Sequence, residues 1–589
     1  MAEVSGKAFD FKLFRKVMSY ALPYRGIFIS SIVLTVILGG LATARPILIR
    51  KAMDEYILPM DAPGLLNITL VLVALLVLES AFQFAFIYAT NFLGQEIIKD
   101  IRVKLFEHLL KLKLAFFDRT PIGTLVTRAV SDIESVASIF SEGILTIIGD
   151  LLKIVVMLVA MFWFFDWKLV LISLSVMPIL YYATRWFQKN IKKAFQEVRN
   201  EISNLNAFVQ EHIVGMSIVQ LFNREEAELE KFKKINDRHR AANIRSIWYY
   251  SIFFPVIEIL SAVSIGLAVW YGGIQAAKNQ GVTIGDLTAM IIFVNMLYRP
   301  LRQLADRFNT LQMGMVASER VLKLLDNKED IEAFGTEEME NAKGEIEFKD
   351  VKFWYKEDEP VLRGVNFTVK PGERLAIVGA TGAGKSTIIS LLMGFYKYQK
   401  GKILLDGTDI KTLTLESLRK QFALVLQDVF LFSDTIYNNI TLKEDISREV
   451  VEEASKKIGV DEFVQELPGK YDYDVKERGG MLSAGQRQLL SFLRAYVTDP
   501  PILILDEATS SIDTHTEELI QRATDILTQG RTSIIIAHRL STIQSADRIL
   551  VMEKGLVVEQ GTHEELLEKG GYYTRLYEMQ FKEADSEAA

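Results

Sequence analysis

Residues 379–386 read Gly379-Ala380-Thr381-Gly382-Ala383-Gly384-Lys385-Ser386, and this stretch, followed by Thr387, decides the fold of the second half of the chain. It fits the phosphate-loop pattern G-x-x-x-x-G-K-[ST] and lies between a predicted buried strand and a predicted helix. Glycines let backbone N–H groups curl around phosphate oxygens, and the start of a helix adds partial positive charge. We expect Lys385 to contact the β- and γ-phosphates of a nucleotide and the Ser386 hydroxyl to bind Mg²⁺.

A second apolar strand, 502–505, ends in the acidic pair Asp506-Glu507. Asp506 is expected to hold Mg²⁺, directly or through water, and Glu507 to polarise the attacking water in phosphoryl transfer. The alternative is that the two acids only cap a strand at the surface, and the presence of a phosphate loop upstream argues against it. His538 follows another predicted strand, where it can touch the γ-phosphate. A purely structural role for a histidine at a strand end stays open.

Short β-rich runs surround these motifs and indicate an α/β nucleotide-binding layout. Strands are predicted at 345–353, 361–369, 374–378, 501–505 and 533–537, and a helix at 385–393. The last three strands are continuous apolar runs, as in parallel sheets that are buried on both faces.

The first half of the chain contains long apolar runs that indicate membrane-spanning helices. A bilayer core of about 30 Å needs about 20 apolar helical residues. Soluble core helices are the alternative, but soluble cores rarely repeat runs of this length. The fold class is therefore a multidomain membrane protein, with an all-α six-helix transmembrane domain followed by an α/β P-loop ATPase domain. The predicted spans are 26–44, 65–95, 154–165, 169–184, 246–277 and 287–298, of which the sixth is the weakest.

The loops between the spans differ in charge. Loops 98–135 and 187–245 are long and rich in Lys and Arg, whereas the other three are short and carry few. Because positive segments stay inside, the long loops and both termini are predicted to face the cytoplasm, with the spans in the cell inner (cytoplasmic) membrane. Helical periodicity continues through 95–114 and 189–232, so these helices are expected to project beyond the bilayer. Residues 11–20 are typical of an amphipathic surface helix.

Composition excludes several function classes. The 589 residues include no cysteine, which excludes disulfides, zinc–thiolate sites and cysteine nucleophiles. The formal net charge of -7 argues against a nucleic-acid partner. Half of the residues are hydrophobic although 24% are charged, which indicates an apolar half and a polar half that meet near residue 325.

The segment Leu482-Ser483-Ala484-Gly485-Gln486 resembles the signature sequence of ABC transporters, although Ala484 stands where the family usually has glycine. Together with the phosphate loop, the acidic pair at 506–507 and Ala537-His538-Arg539, this segment makes residues 344–580 resemble an ABC ATPase throughout.

That resemblance implies further site residues. Tyr355 matches the aromatic residue that stacks on adenine, and Gln427 matches the glutamine that senses Mg²⁺ and faces the membrane domain. Residues 510–513 resemble the loop that crosses the dimer interface. In the family, the signature of one subunit completes the ATP site of the other subunit. The resemblance therefore implies further ATP-binding residues, which are Ser483, Gly485 and Gln486.

The first half resembles the exporter class of the family. Residues Phe116-Phe117-Asp118, Gly123 and Arg128 resemble the first cytoplasmic loop of these exporters, and Glu211, Gly215 and Glu225 resemble the second. In the family, short coupling helices in these loops dock into the ATPases, so coupling helices are expected near 115–122 and 209–217. The predicted division is an elbow segment 1–25, a transmembrane domain 26–322, a linker 323–343, a nucleotide-binding domain 344–580 and a disordered tail 581–589.

The resemblance implies ATP-driven, Mg²⁺-dependent export of hydrophobic or amphipathic small molecules by alternating access, as in multidrug-type half-transporters. The implied partners are membrane lipid and a second half-transporter chain. Intact Glu507 favours a homodimer, or the hydrolysing chain of a heterodimer. A lipid flippase of the same fold is the main alternative, and an ATP-gated channel or regulatory subunit is a further one.

Charged residues within the spans suggest a substrate site. Arg45, Glu79 and Glu258 either line a polar cavity that contacts substrate, form pairs that lock helices together, or snorkel to the interface. Asp150 and Lys153, which interrupt the third span, lie one helical turn apart and are expected to pair with each other.

Overall fold

The computed structural model describes residues 11–278, 280–328, 335–506, 514–537 and 539–580. The chain divides into two compact units. One comprises Met1–Leu110 and Pro121–Lys328, and the other comprises Lys111–Thr120 and Glu329–Ala589. Residues 111–120 lie in sequence within the predicted transmembrane domain, but they pack with the second unit.

The described residues of the first unit are helical almost throughout. Several helices are far longer than a bilayer requires, as the periodicity beyond the apolar runs predicts. The helices are Phe11–Ser19, Leu22–Tyr24 (3-10), Arg25–Lys51, Ala52–Ile57 (π), Ala62–Leu110, Ile122–Thr127, Arg128–Asp132 (π), Ile133–Ser138, Ile139–Ile144 (π), Leu145–Phe164, Trp167–Leu174, Met177–Val214, Met216–Leu221, Glu225–Ala277 and Ile284–Leu325.

Five helical stretches of the described chain are long and apolar enough to cross a membrane, and they cover the first five predicted spans. The last long helix, Ile284–Leu325, covers the sixth predicted span, but it is not among those five. The count of six spans is therefore not reached by length and composition alone. The five stretches are Leu22–Ile57, Ala62–Leu110, Ile122–Phe164, Trp167–Val214 and Glu225–Ala277.

The fourth predicted span begins as a separate short helix, Trp167–Leu174, before the long helix Met177–Val214. Pro178 is the second residue of the long helix. Because proline has no N–H and its ring clashes with the carbonyl four residues earlier, a continuous helix across this point is disfavoured.

Two short helices, Leu114–Arg119 and Met216–Leu221, lie in the two loops that are predicted to face the cytoplasm. The first overlaps the predicted 115–122. The prediction of 209–217 for the second is too early, because the preceding helix continues to Val214 and ends at Gly215. Glycine has the backbone freedom to leave the helical conformation at this point.

One predicted ion pair within the membrane unit is wrong. Asp150 does not pair with Lys153. Its Oδ2 atom lies 3.0 Å from Nε of Arg307 on the last long helix, and both side chains are mostly buried. A helix–helix pair of this kind depends on tertiary packing, which spacing along one helix does not reveal.

Within the described residues of the second unit, ten strands form two sheets. A four-stranded antiparallel sheet has the order β2-β1-β4-β5, and a six-stranded sheet has the order β10-β9-β3-β8-β7-β6, which is parallel apart from the β10 edge. The strands are β1 Ile346–Trp354, β2 Pro360–Val369, β3 Arg374–Gly379, β4 Lys400–Leu405, β5 Thr408–Asp409, β6 Phe422–Val425, β7 Ile502–Asp506, β8 Thr532–Ile536, β9 Arg548–Glu553 and β10 Leu556–Gly561.

Helices surround these sheets. They are Leu114–Arg119, Lys385–Leu392, Leu415–Lys420, Ile436–Thr441, Arg448–Ile458, Asp461–Glu466, Lys470–Asp472 (3-10), Glu477–Gly479 (3-10), Ala484–Val497, Thr514–Thr528, Leu540–Gln544, His563–Glu568 and Tyr572–Gln580.

The parallel strands hold the second unit together because both of their faces are buried. Alternate residues point to opposite sides, so Ile377 and Ile504 join one apolar core while Val378 and Leu505 join the other. The five predicted strands agree with β1, β2, β3, β7 and β8 to within one residue at each end. The two cores fix the positions of the carboxyl ends of β3 and β7. The phosphate loop follows β3, and Asp506 is the last residue of β7.

We expect Ile377→Ala to destabilise the second unit by about 2–5 kcal/mol, because it leaves a cavity beside the strand that precedes the phosphate loop. Scanning calorimetry of the full-length protein in detergent measures this as a lower melting temperature of the transition that ATP shifts. Val558→Ala, which truncates a side chain that is 42% exposed on β10, is the matched control. Equal melting temperatures for the two variants would contradict the assigned core.

Candidate functional site

The phosphate loop lies between the end of β3 and the helix Lys385–Leu392. Gly384 caps this helix with a φ of 105°, in the left-handed region that favours glycine. A Cβ atom built at this position would lie 2.8 Å from Cδ2 of Leu362. The last glycine of the motif is therefore required by both backbone conformation and packing.

The side chain of Lys385 folds back over the loop. Its Nζ atom donates hydrogen bonds to the carbonyl oxygens of Gly379 at 2.6 Å and Ala380 at 3.3 Å. Burial lowers the pKa of the Lys385 ammonium below its ordinary value, and the negative charge of Asp506 partly opposes this shift. The site therefore holds a partly desolvated cation beside the backbone amides of a helix start, which is an environment suited to phosphate.

The parallel strands bring the other predicted nucleotide residues to one edge of the sheet. Since β3, β6, β7 and β8 run in the same direction, their carboxyl ends share an edge. Asp506 ends β7 there, and Gln427 follows β6 two residues after its end. Ser386 and Gln427 are exposed. Glu507, His538 and the loop 510–513 lie outside the described residues.

Hydroxyl, carboxylate and amide oxygens are ligands that suit Mg²⁺, which is usually held by one or two protein groups together with substrate phosphates. Ser386, Asp506 and Gln427 supply these three oxygen types. In the part of the chain that the structure describes, no cluster of three or more acidic or histidine side chains could hold a metal by itself. The donor set fits a metal that arrives with a nucleotide.

Tyr355 follows β1 and presents a half-exposed ring. Its hydroxyl lies 3.3 Å from Oγ1 of Thr387, directly after the phosphate loop. The ring is held edge-on by Phe353 and Tyr396, with centroid distances of 4.7 and 5.0 Å. A ring fixed in this way beside the loop can stack on a purine base.

A polar contact links this aromatic group to the segment 111–120. The hydroxyl of Tyr396 donates a hydrogen bond to the carboxylate of Asp118. Burial, and then the Asp118 carboxylate, raise the pKa of the Tyr396 hydroxyl. Sequence reasoning singled out Asp118 but missed Tyr396, because the only local signal for it was an aromatic residue just after the phosphate-loop helix.

The signature segment forms the start of the helix Ala484–Val497. Ser483 caps the helix, since its Oγ atom accepts a hydrogen bond from the Gln486 N–H at 3.1 Å, and the Gln486 Oε1 atom accepts one from the Ser483 N–H at 2.9 Å. Ser483 and Ala484 are exposed, whereas Gly485 is buried. The start of the helix is therefore exposed at the surface, and the carboxamide oxygen of Gln486 is engaged in the helix cap.

Two of the three charged residues predicted for a substrate cavity, Arg45 and Glu79, lie close to each other. Nη1 of Arg45 lies 3.8 Å from Oε2 of Glu79, which is the arrangement of a pair between neighbouring helices. Glu258 is exposed on the helix Glu225–Ala277. The geometry favours the helix-pair alternative for Arg45 and Glu79.

The sequence matches two family models, the ABC transporter transmembrane region at residues 28–301 and ABC transporter at residues 362–510. It is 37% identical to the uncharacterized ABC transporter ATP-binding protein YknV of Bacillus subtilis (strain 168), over 99% of this chain and 97% of that protein. It is 34% identical to the ATP-dependent lipid A-core flippase of Escherichia coli (strain K12), over 96% and 98% of the two chains.

The solved structure of a bacterial Atm1-family ABC exporter with ATP bound matches with a TM-score of 0.75 at 30% identity, over 94% of this chain and 98% of that chain. Helical spans followed by a phosphate-loop ATPase with a signature helix define a transporter driven by ATP. The chain belongs to the ABC transporter family. It has the fused membrane and ATPase parts of the family's exporters, and it hydrolyses ATP to drive export.

We expect Lys385→Ala to weaken ATP binding about ten- to hundredfold, because a hydrogen bond to a charged group contributes about 1.5–3 kcal/mol. Titration calorimetry of the full-length protein with ATP in the absence of Mg²⁺ measures the affinity without turnover. Lys397→Ala removes an exposed lysine from the same unit and serves as the control. ATP affinity that is unchanged in Lys385→Ala would argue against the role assigned to this side chain.

Proposed function

We propose that the chain is one half of a dimeric multidrug-type exporter, which moves hydrophobic or amphipathic small molecules outward across the inner membrane. The observation that carries the proposal is that one chain holds one phosphate loop and one signature helix whose start, at Ser483, is exposed. With one of each on every chain, head-to-tail pairing about a two-fold axis creates two equivalent ATP sites. The second chain is either an identical copy, which gives a homodimer, or a different half-transporter of similar build, which gives a heterodimer.

Each residue of the proposed ATP site has its own role. Lys385 and the loop amides hold the phosphates, Tyr355 stacks on the base, and Ser483 of the second chain donates to the γ-phosphate from a helix start. Ser386, Asp506 and Gln427 would hold Mg²⁺, which neutralises negative charge on the phosphates during transfer. Glu507 orients the attacking water, and His538 holds the γ-phosphate in place.

ATP held between two chains favours their closed arrangement, and hydrolysis removes the contacts to the γ-phosphate that stabilise closure. The cycle therefore biases a two-state membrane domain, which we assign to residues 26–322, between inward-facing and outward-facing forms. The positive charge of the long loops supports a cytoplasmic location for the ATPase domain, residues 344–580, and for both termini.

The contact between Tyr396 and Asp118 offers a direct route from nucleotide to coupling helix. Tyr396 touches the edge of the base-stacking Tyr355 and holds the short helix Leu114–Arg119 through Asp118. A base stacked on Tyr355 would therefore restrict Tyr396, and with it the position of the coupling helix.

We expect Tyr396→Phe to hydrolyse ATP but to transport about three- to tenfold less substrate per ATP, because it loses one hydrogen bond to a charged group. The measurement is the ratio of ATP-driven uptake to ATP hydrolysis in inside-out proteoliposomes. Tyr437→Phe also removes a tyrosine hydroxyl bond from the second unit, to the Ile446 carbonyl, and leaves 111–120 untouched. A ratio reduced equally in both variants would contradict the coupling role.

A lipid flippase is the second candidate, because relatives that are 34% identical over nearly their whole length are lipid A-core flippases. Proteoliposomes loaded in parallel with a fluorescent drug and a headgroup-labelled lipid separate the two candidates. ATP-dependent movement of only the lipid would replace the drug-export proposal, and movement of neither would overturn both.

We expect Glu507→Gln to bind ATP normally but to hydrolyse it at least about a hundredfold more slowly, because a neutral amide polarises water poorly. The variant should accumulate as an ATP-bound closed dimer, which mass photometry of solubilised protein and crosslinking of two chains detect. The same Glu→Gln replacement at Glu553, on β9, is the control. Normal turnover in Glu507→Gln would rule out this residue as the activating base.

A further inference from the structure

The first unit contains a cavity of about 620 Å³ that none of the predicted site residues line. Its walls come from the helices Met177–Val214, Glu225–Ala277 and Ile284–Leu325, from the π-helical turn Arg128–Asp132 and from the helix Ile133–Ser138 that follows it. This volume falls in the range of about 300–1,000 Å³ that is usual for small-molecule sites.

The charged groups that line the cavity are unbalanced. Lys192, Arg199 and Arg320 contribute three cations, whereas Asp132 is the one carboxylate among the lining residues that the structure describes. Asp132 lies 3.8 Å from Arg320, too far for a strong hydrogen bond. The cavity therefore carries an excess of two positive charges.

Two of the cations, Lys192 and Arg199, lie on the helix Met177–Val214, and neither is neutralised by a carboxylate within the described chain. The guanidinium of Arg199 contacts the Sδ atom of Met313 at 3.5 Å, which supplies no negative charge. Lys192 lies two helical turns earlier on the same face, and among the described residues it makes no ion pair. Cations that converge on a concave surface with low-dielectric walls attract anions more strongly than the same cations on a flat surface.

The other end of the cavity is aromatic. Phe187 stacks on Phe253 with a centroid distance of 3.9 Å, and the ring of Tyr250 lies edge-on to Phe187 at 5.2 Å. Phe187 and Tyr250 lie within a few residues of the predicted cytoplasmic ends of the fourth and fifth spans. Arg199 lies about 15 residues beyond the fourth span, which is roughly 22 Å along a helix.

The cavity thus extends from aromatic side chains near the predicted membrane boundary to cations on the predicted cytoplasmic side, where Phe195 also lines it. From this polarity we infer that it binds an amphiphile with an anionic head, a carboxylate or a phosphate, whose apolar body lies against Phe187 and Tyr250 while Lys192, Arg199 and Arg320 hold the head. The inference rests on the proposed export of amphipathic molecules and narrows them to anionic ones. Guanidinium groups suit both head types because they donate two parallel hydrogen bonds.

The test uses full-length protein without nucleotide in phosphatidylcholine nanodiscs, with pyrene-decanoic acid as the anionic probe and its methyl ester as the neutral probe. We expect the wild type to bind the acid at least about tenfold more tightly than the ester. We expect the triple variant Lys192→Gln, Arg199→Gln, Arg320→Gln to lose about tenfold in affinity for the acid and to keep its affinity for the ester, which also shows that the variant is folded.

The matched control is the triple variant Lys189→Gln, Lys193→Gln, Lys323→Gln, which removes three exposed cations from the same helices outside the cavity. The control should bind both probes as the wild type does. Equal loss of acid binding in the two triple variants would overturn the inference, because nonspecific surface charge would explain it. Equal binding of acid and ester by the wild type would overturn it as well.

Competition identifies the source of the anionic head. Displacement of the acid by dodecyl phosphate indicates a soluble amphiphile, and displacement by phosphatidylglycerol included in the nanodisc indicates a membrane lipid. Each result supports the site, and displacement by neither would overturn it. ATP hydrolysis by the wild type is measured in parallel, since its absence would refute the proposed exporter whatever the probes do.

Discussion

The phosphate site depends on one interaction, the contact of the buried Lys385 ammonium group with the backbone of its own loop. Lys385 is nearly inaccessible to water. Its ammonium group donates to two carbonyl oxygens of its own loop, and burial lowers its pKa. Such a group is poorly solvated until an anion arrives, so phosphate binding releases more free energy here than at an exposed lysine. The two apolar cores around β3 and β7 hold this arrangement in place.

The same argument applies to the start of the signature helix, which we propose faces a second chain. Reciprocal hydrogen bonds between Ser483 and Gln486 cap the start of the signature helix, and this start is exposed to solvent. An anion that approaches from another chain meets a preformed helix start and needs no local refolding. Binding to donors that are already in position costs little free energy for ordering them, which suits a contact that forms and breaks in every cycle.

The strands that carry the ATP site could be predicted from the sequence, because the signal for each strand lies within the strand itself. Parallel strands buried on both faces leave continuous apolar runs, so β3, β7 and β8 were predicted to within a residue. The partner of Asp150 and the Tyr396–Asp118 contact could not be predicted, because each joins residues more than 150 positions apart. The second short helix was placed too early because helical periodicity carries no sign of where Gly215 ends a helix.

The ATPase unit is discontinuous along the chain. Residues 111–120 pack with residues more than 200 positions later, although the rest of the first unit is synthesised between them. Since chains emerge from the ribosome at about 5–20 residues per second, this segment waits at least ten seconds or so for the surface that includes Tyr396. The second unit therefore completes its folding late, when newly synthesised chain contacts a segment that was made before most of the first unit.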